Sequence, residues 1–234
     1  MGKAAYFDLD GTLVGTSLIQ PTIYYLLNQA SPMQSIQRFG RALLDAPRMA
    51  FAEMQDRRQF NEILFSHFRG MTQDRIHVLS QEIFESIIKP AIFPGALDLI
   101  RQCKEAGFTV VIITGSLDVT TRFVTEYLGA DYFIANRLEY KDNVATGKML
   151  HPLVAGPEKA KIIVEDAHTH GYDLKKCHAY SDSFSDVPML SVVGHAFCIN
   201  PSTKLRRLAQ VYRWPILDIN REAPASFRQS HKKD

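Results

Sequence analysis

The sequence of 234 residues has few cysteines, one tryptophan, no long apolar run and no large surplus of either charge. Its three cysteines, Cys103, Cys177 and Cys198, lie far apart and form no Cys-x-x-Cys pair, so neither a zinc site nor a disulfide framework is indicated. The net charge of +2 arises from 27 basic and 25 acidic residues, which argues against nucleic acid as the main partner. Apolar runs such as residues 110–113 are far too short for an integral membrane segment.

This cysteine usage is typical of a reducing compartment, and we therefore expect a cytoplasmic protein. The first acid with catalytic potential stands at position 8, so we expect no signal peptide ahead of the fold. With 46% hydrophobic residues, the chain can bury a core that suits one domain with a sizeable insertion. Nothing in the sequence predicts the oligomeric state.

Two aspartates one residue apart follow the first apolar segment. Asp8 and Asp10 would project on the same side of an extended chain, because side chains alternate with period two, and Gly11 then allows a tight turn. Like charges this close repel, so the pattern favours a bound cation or a shared proton. The alternatives are a solvated turn or a calcium loop, but Val14 and Thr16 stand where a calcium loop needs further acids.

After Val14 the sequence changes to helical periodicity and keeps it to about Pro90, with Pro32, Pro47 and Gly70 as expected breaks between short helices. Because amphipathic helices usually bury their apolar side, we interpret the apolar stripes as internal packing rather than as a surface for a membrane or a partner. These stripes are Ile19, Ile23, Leu26 and Leu27, and further along Phe60, Ile63, Leu64 and Phe68.

From residue 93 onward, predicted strands and helices alternate. This alternation predicts an α/β fold with a Rossmann-like open parallel sheet and right-handed crossovers. Strands are expected at residues 108–114, 177–181, 195–199 and 214–219, with a hairpin at 132–149. We therefore expect a core domain of residues 1–14 and 93–220, a helical cap domain of residues 15–92, and a fraying tail of residues 221–234.

Two further acids, Asp182 and Asp186, lie four residues apart after the predicted strand 177–181. In open α/β sheets ligands bind beyond the carboxyl ends of the strands, so these acids would converge on Asp8 and Asp10. Asp186 could instead only cap the helix that begins next to it. Four carboxylates at one sheet edge need compensating positive charge, and oxygen-only ligation favours Mg²⁺. The sequence therefore predicts a magnesium site formed by Asp8, Asp10, Asp182 and Asp186.

Candidate anion-binding groups stand in two other places. Thr114 ends the predicted strand 108–114 and Gly115 follows it. A hydroxyl and free backbone N–H groups there can hold phosphate oxygens, although a lone threonine at a strand end is usually structural. Lys159 lies in the first turn of a predicted helix, where the helix dipole disfavours a cation. Because a dense anionic site needs a fixed ammonium, we interpret Lys159 as functional, with Lys161 as the competing candidate.

These motifs, in this order, resemble the haloacid dehalogenase-like (HAD) superfamily, and the similarity extends over nearly the whole chain. Residues 7–13, FDLDGTL, resemble its first motif, and the helical segment directly after them resembles its C1-type cap. Residues 135–139 and 179–190 are similar to the IB branch, which includes phosphoserine phosphatases. The resemblance thus implies the HAD fold with a cap inserted after the first strand.

The resemblance also implies a Mg²⁺-dependent phosphatase that hydrolyses a small organic phosphomonoester through an aspartyl-phosphate intermediate. A small phosphorylated metabolite is then the expected partner. The resemblance implies that Asp8 is the nucleophile and that Asp10 is the general acid and base. It also implies that the backbone carbonyl oxygen of Asp10 binds the metal. It further implies that Asp182 binds the metal, that Asp186 either binds the metal or positions its ligands, and that Thr114 and Lys159 bind the phosphoryl group.

Other activities stay open on the sequence alone. A phosphotransferase or phosphomutase would share the intermediate, and a non-catalytic scaffold would keep only the fold, which the intact acids argue against. Phosphoserine phosphatases carry a glutamate soon after the first motif to bind the substrate amine, whereas residues 15–18 here are Gly-Thr-Ser-Leu, which argues against serine phosphate. Hydrolases similar to phosphatidylglycerophosphate phosphatases fit better, so a lipid phosphate is a further alternative. No cap residue is predicted to set specificity.

Overall fold

A parallel sheet lies at the centre of the structure, a computed structural model that describes residues 2–29 and 31–220. Within these ranges the strands are β1 (Ala4–Phe7), β2 (Thr109–Leu117), β3 (Tyr132–Asn136), β4 (Leu138–Lys141), β5 (Val144–Met149), β6 (His178–Ser181), β7 (His195–Ile199) and β8 (Ile216–Leu217). β4 and β5 pair with each other as an antiparallel hairpin. The other strands form one parallel sheet in the order β3-β2-β1-β6-β7-β8. The predicted α/β fold is confirmed.

Helices surround this sheet and fill much of the chain between β1 and β2. Within the same ranges they are α1 (Ile19–Leu27), α2 (Pro32–Gln55), α3 (Arg57–Ser66), α4 (Gln73–Ile83), α5 (Ala96–Glu105), α6 (Asp118–Leu128), α7 (Pro157–His170), α8 (Val187–Ser191) and α9 (Thr203–Tyr212). None of these helices has the length and the apolar character that crossing a membrane requires. The division into core and cap domains stays a prediction, and the predicted tail, 221–234, lies outside the described residues.

Both faces of the sheet are covered, which explains the continuous apolar runs of its central strands. In β1, Ala5 and Phe7 belong to one apolar cluster and Ala4 and Tyr6 to another, and all four are fully buried. The ring of Phe7 stacks on Tyr180 of β6 with centroids 4.2 Å apart. The two clusters therefore hold the end of β1 rigidly in place.

The strand order reverses at β1, which lies between β2 and β6. From β1 the chain runs to β2 and β3 on one side and later returns to β6, β7 and β8 on the other side, so a crevice opens at the carboxyl end of β1. The residue that directly follows β1 is Asp8, whose backbone N–H donates to Tyr180 O at 3.0 Å. The topology alone thus places the first predicted acid at the position where ligands bind in such sheets.

Two predicted elements were wrong in detail. Tyr132–Asn136 is not a hairpin arm, because it pairs in parallel with β2 as an edge strand, and the hairpin is confined to β4 and β5 around Asp142 and Asn143. Pro47 does not end a helix but lies inside α2. It is exposed there, so water can bond the carbonyl that lacks its usual N–H donor.

The two apolar stripes predicted in the helical region differ in how far they are buried. Phe60, Ile63, Leu64 and Phe68 are buried in the same cluster as Phe7, so this stripe forms internal packing as predicted. The first stripe was interpreted in the same way, and there the prediction was wrong. Only Leu26 of that stripe is buried, whereas the exposed residues, 37 to 46% accessible, are Ile19, Ile23 and Leu27.

Candidate active site

A buried ammonium group joins two of the predicted acids. Lys159 comes from the first turn of α7, just after Gly156, whose positive φ of 51° turns the chain into the helix. Its Nζ donates to Asp8 Oδ1 at 2.6 Å and to Asp186 Oδ2 at 2.9 Å, and Lys159 is only 4% exposed. Asp186 also accepts from Ser181 Oγ at 2.8 Å, and its side chain makes no capping bond to α8. Its carboxylate therefore belongs to this network rather than to a helix cap.

The turn after β1 connects Asp8 to the end of β6. Thr12 Oγ1 lies 3.0 Å from Asp182 Oδ1 and 3.3 Å from Asp8 Oδ2. The same hydroxyl oxygen accepts a hydrogen bond from the Asp182 backbone N–H at 3.0 Å. Two acids that are distant in sequence are thereby held side by side, as the sequence predicted.

Asp10 faces the end of β2. Its Oδ2 accepts from Ser116 Oγ at 2.7 Å, and its Oδ1 accepts from Thr16 Oγ1 at 3.4 Å. Thr114 is fully buried, and its hydroxyl oxygen accepts from the Ser116 backbone N–H at 3.0 Å. The structure thus brings Asp10 and the predicted phosphate-binding Thr114 to one corner of the sheet edge.

Asn136, at the end of β3, clamps the two loops that form the wall of the site. Its Nδ2 donates to Gly115 O at 2.8 Å, and its Oδ1 accepts from the Val154 backbone N–H at 2.8 Å. The side chain is 1% exposed. A single buried amide therefore fixes the loop after β2 against the segment that leads to Lys159.

One pocket collects most of these groups, and α3 contributes its opposite wall through Arg57 and Asn61. The pocket leaves about 20 Å³ of free volume, which is room for about one water molecule. Asp182 borders a neighbouring opening instead, together with Asp10 and Gly11. The predicted site residues that line the pocket itself are Asp8, Asp10, Thr114, Gly115, Lys159 and Asp186.

Burial and mutual repulsion raise the pKa values of the acids. Burial raises the pKa of Asp8, which Lys159 opposes and Asp186 reinforces. The pKa of Asp10 rises to about 6 and that of Asp182 to about 7, in both cases through burial first and then repulsion from Asp8. Burial alone would lower the pKa of Lys159, but Asp186 and Asp8 outweigh it and raise it. Burial and mutual repulsion therefore both disfavour the fully charged forms of these acids.

Comparison with known proteins decides the family. Residues 5–191 match the haloacid dehalogenase-like hydrolase family. The chain belongs to that family. A relative from Mycobacterium tuberculosis (strain ATCC 25618 / H37Rv), named a probable phosphatase, is 34% identical over 230 residues, covering 96% of this chain and 77% of the relative. A phosphoserine phosphatase of the same strain is 30% identical over 217 residues, covering 92% of this chain and 70% of the relative.

A solved structure confirms the HAD fold independently of sequence. A phosphoserine phosphatase with an analogue of its phospho-aspartyl intermediate matches with a TM-score of 0.68, at 21% identity and over 98% of both chains. This likeness establishes the fold alone. As a HAD-like hydrolase, the protein is an enzyme, and its phosphatase-named relatives support a phosphoric monoester hydrolase.

The acids of this HAD-like hydrolase suit a hard divalent cation in their chemistry, but they do not form a finished cluster of ligands. Within residues 2–29 and 31–220, no group of three or more His, Cys, Asp or Glu side chains is placed to hold a metal ion. Asp8 and Asp186 each direct one oxygen to Lys159. The donors are nevertheless all oxygen, and the pKa of Asp182 is raised first by burial and then by repulsion from Asp8, a repulsion that a bound cation would offset. The four-carboxylate magnesium site stays a prediction.

Several polar residues of the HAD-like site were missed in the sequence. Arg57 and Asn61 lie four residues apart and so on one face of α3, a spacing that could have indicated them. Asn61 is 1% exposed, and its Oδ1 has no hydrogen-bond partner among the described residues. A buried acceptor without a partner is costly, so this oxygen is poised for a donor on a ligand or water. The other missed residues are Ser116 and Asn136.

A substitution at Gly11 tests whether the turn positions Asp182. Gly11 has φ +83°, and a Cβ there would lie 2.7 Å from Cγ of Asp182, whereas Gly107 has φ +80° and open space around its Cβ position. Gly11→Ala and Gly107→Ala should each cost about 1 kcal/mol of backbone strain. We expect only Gly11→Ala to lower phosphatase activity, because it alone displaces the carboxylate. Urea unfolding and initial rates measure the two effects, and equal activity losses in both variants would contradict this role.

Proposed function

We propose that this HAD-like hydrolase is a phosphatase that transfers the phosphoryl group of a small organic phosphomonoester to Asp8 and then to water. The observation that carries the proposal is the placement of the Asp8 carboxylate. It lies at the reversal point of the sheet, lines the pocket, and has one oxygen fixed by Lys159 at 2.6 Å. A buried carboxylate held in one orientation beside a fixed cation suits a nucleophile in phosphoryl transfer.

In the first step, an Asp8 oxygen forms a bond to phosphorus while the bond from phosphorus to the ester oxygen breaks. Asp10 gives its proton to the leaving alkoxide, and its pKa of about 6 keeps part of it protonated near neutral pH. In the second step, water attacks the phosphorus of the acyl phosphate, and Asp10 accepts the proton of that water. Inorganic phosphate leaves, and both aspartates return to their starting states.

Lys159, Thr114 and Gly115 support the proposal as the groups that hold the phosphoryl oxygens. The Lys159 ammonium lies within hydrogen-bond distance of the nucleophile, so it can offset charge on the transferring group. Thr114 and the backbone of Gly115 line the same pocket. Mg²⁺, when bound among Asp8, Asp10, Asp182 and Asp186, would supply further positive charge to the transferring phosphoryl group.

The size of the pocket bears on the substrate. It is narrow, with about 20 Å³ of free volume, and Arg57 and Asn61 of α3 form part of its wall. These side chains cover Asp8 and Lys159 and limit the access of water to them. A site this narrow favours a small metabolite over a folded protein substrate.

Arg57 is the residue of α3 that we expect to recognise an acidic group on the substrate. It lines the pocket, and like the Ser116 hydrogen bond and Lys159 it lowers the pKa of Asp10, against burial and repulsion from Asp8, which raise it. Arg57→Gln should raise KM by roughly ten-fold or more for a substrate with an anionic leaving group, because a charge-assisted hydrogen bond is lost, and kcat should change little. Arg58→Gln is the matched control, since Arg58 binds Asp56 outside this pocket. Steady-state kinetics in which both variants shift KM equally would contradict the assignment.

The proposed activity is tested by hydrolysis of a generic aryl phosphate. We expect release of inorganic phosphate that stops when a chelator removes divalent cations and returns when excess Mg²⁺ is added. Circular dichroism before and after chelation shows whether the protein stays folded. Adding a competing alcohol distinguishes a phosphotransferase, which would form a new phosphate ester. Hydrolysis that continues undiminished in chelator would contradict the metal requirement.

A further inference from the structure

An exposed apolar stripe runs along the outer side of α2. Residues of a helix advance by about 100° each, so residues at the spacings three, four and seven share one side. Along α2 this side also contains Gly40 and the exposed Pro47. We name the five large apolar residues on it, which are 62 to 83% exposed, the α2 stripe: Met33, Ile36, Leu43, Leu44 and Phe51.

Among the described side chains of α2, those that are buried are small. Ser35 and Ala52 are buried there, and Arg38 donates hydrogen bonds to the backbone carbonyls of His67 and Arg69. A helix that only completes a core would place its largest apolar residues inward. The half-buried residues of α2 are Arg38, Phe39, Ala42, Asp45, Ala46 and Met49. The outer stripe therefore has the composition of a surface with a partner.

The charges of α2 indicate the sign of that partner. Of its two acids, Glu53 accepts from Arg57 at 3.2 Å, and Asp45 lies 3.5 Å from Nε2 of His67, whose pKa is lowered by burial. Arg41 and Arg48 are exposed, seven residues apart on the flank of the α2 stripe, and make no ion pair within the described part of the chain. The stripe thus presents apolar side chains beside unpaired positive charge.

We propose that the α2 stripe binds peripherally to the surface of an anionic phospholipid bilayer. An amphipathic helix with apolar residues on one side and arginines beside them can lie in the headgroup region, with its apolar side toward the acyl chains. Anionic headgroups complement Arg41 and Arg48, for which residues 2–29 and 31–220 provide no ion-pair partner. A second copy of this chain fits less well, because pairing two stripes would bring four such arginines together without added acids.

Vesicle flotation tests the docking without reference to catalysis. We expect wild type to bind vesicles of equimolar phosphatidylcholine and phosphatidylglycerol more tightly than vesicles of phosphatidylcholine alone. Leu44→Glu and Phe51→Glu should each weaken binding roughly ten-fold or more, because an apolar side chain no longer enters the bilayer. Arg41→Gln and Arg48→Gln should each weaken binding about five-fold on the anionic vesicles only. Asp8→Asn should bind as wild type does, which separates this result from the fate of the phosphatase proposal.

Val211→Glu is the matched control, because Val211 is a similarly exposed apolar residue, 77% accessible, on α9. It should bind vesicles as wild type does, and thermal unfolding should show all the variants folded. Wild type that stays unbound, or Leu44→Glu that binds as tightly as wild type, would overturn the proposal. Light scattering could instead show a dimer that Leu44→Glu dissociates, while wild type does not bind vesicles. That result would overturn the proposal and show that the stripe binds a second copy of this chain.

Discussion

Asp8→Asn is expected to lower kcat by a factor on the order of 10⁴ to 10⁶, the range seen when a covalent nucleophile is removed. An amide at this position keeps the size of the side chain, but it lacks the nucleophilic carboxylate oxygen that Asp8 offers to phosphorus. Lys159 retains its bond to Asp186, so the fold should persist. Stopped assays of phosphate release at saturating substrate and Mg²⁺ measure the loss.

Asp166→Asn provides the control for this substitution. Asp166 accepts hydrogen bonds from the hydroxyls of Tyr6 and Tyr132 at 2.8 and 2.7 Å, through an oxygen that asparagine also offers. It lies outside the pocket, so activity should stay near that of wild type. If Asp8→Asn and wild type hydrolyse an aryl phosphate at similar rates, Asp8 is not the nucleophile.

Lys159→Met is expected to abolish measurable hydrolysis and to destabilise the fold. The ammonium is shared by Asp8 and Asp186, and removing one partner of a buried ionic network leaves uncompensated charge, at a cost of about 3–5 kcal/mol. Activity should fall with it, because the cation beside the nucleophile is gone. Urea unfolding at neutral pH gives the free energy of unfolding, and single-turnover assays give the activity.

Lys161→Met separates this effect from a general loss of positive charge. Lys161 lies two residues further along α7, its side chain is 68% exposed, and it pairs with Glu158 at 3.0 Å. A surface ion pair of this kind contributes about 0–1 kcal/mol, so stability and activity should change little. If both variants lost the same stability and the same activity, Lys159 would have no role in the site beyond its positive charge.

The sequence was informative where chemistry and local periodicity coincide. The buried runs of β1 and β2 are apolar because both faces of the sheet are covered, so the parallel sheet was predictable. Asp8 and Asp182 follow the ends of β1 and β6, and the topology rule for such sheets placed them together before any contact was known. Thr114 was predicted to end its strand, but β2 continues past it to Leu117 with a shift in its pairing to β3. Lys159 could be chosen over Lys161 only by the chemistry of the site, and the structure places Lys159 in the pocket.

What the sequence did not reveal depends on how distant elements face one another. Arg57 and Asn61 have an ordinary helical spacing, and only the docking of α3 over the sheet edge makes them site residues. Tyr132–Asn136 has the alternation of a hairpin arm, but its pairing with β2 is decided by tertiary contacts. The stripe of Ile19, Ile23 and Leu27 has the periodicity of a core face, yet it is exposed. Periodicity predicts which side of a helix is apolar, but it does not predict what that side packs against.

Trapping the intermediate tests the central claim most directly. Enzyme in excess over substrate is mixed in the presence of Mg²⁺, quenched in acid within the first turnover, and digested for mass spectrometry. We predict that the peptide containing residue 8 gains the mass of one phosphoryl group, that hydroxylamine removes it, and that Asp8→Asn shows no such gain. A phosphoryl group on another residue, or single-turnover release of phosphate with no modified peptide at any time, would contradict the account.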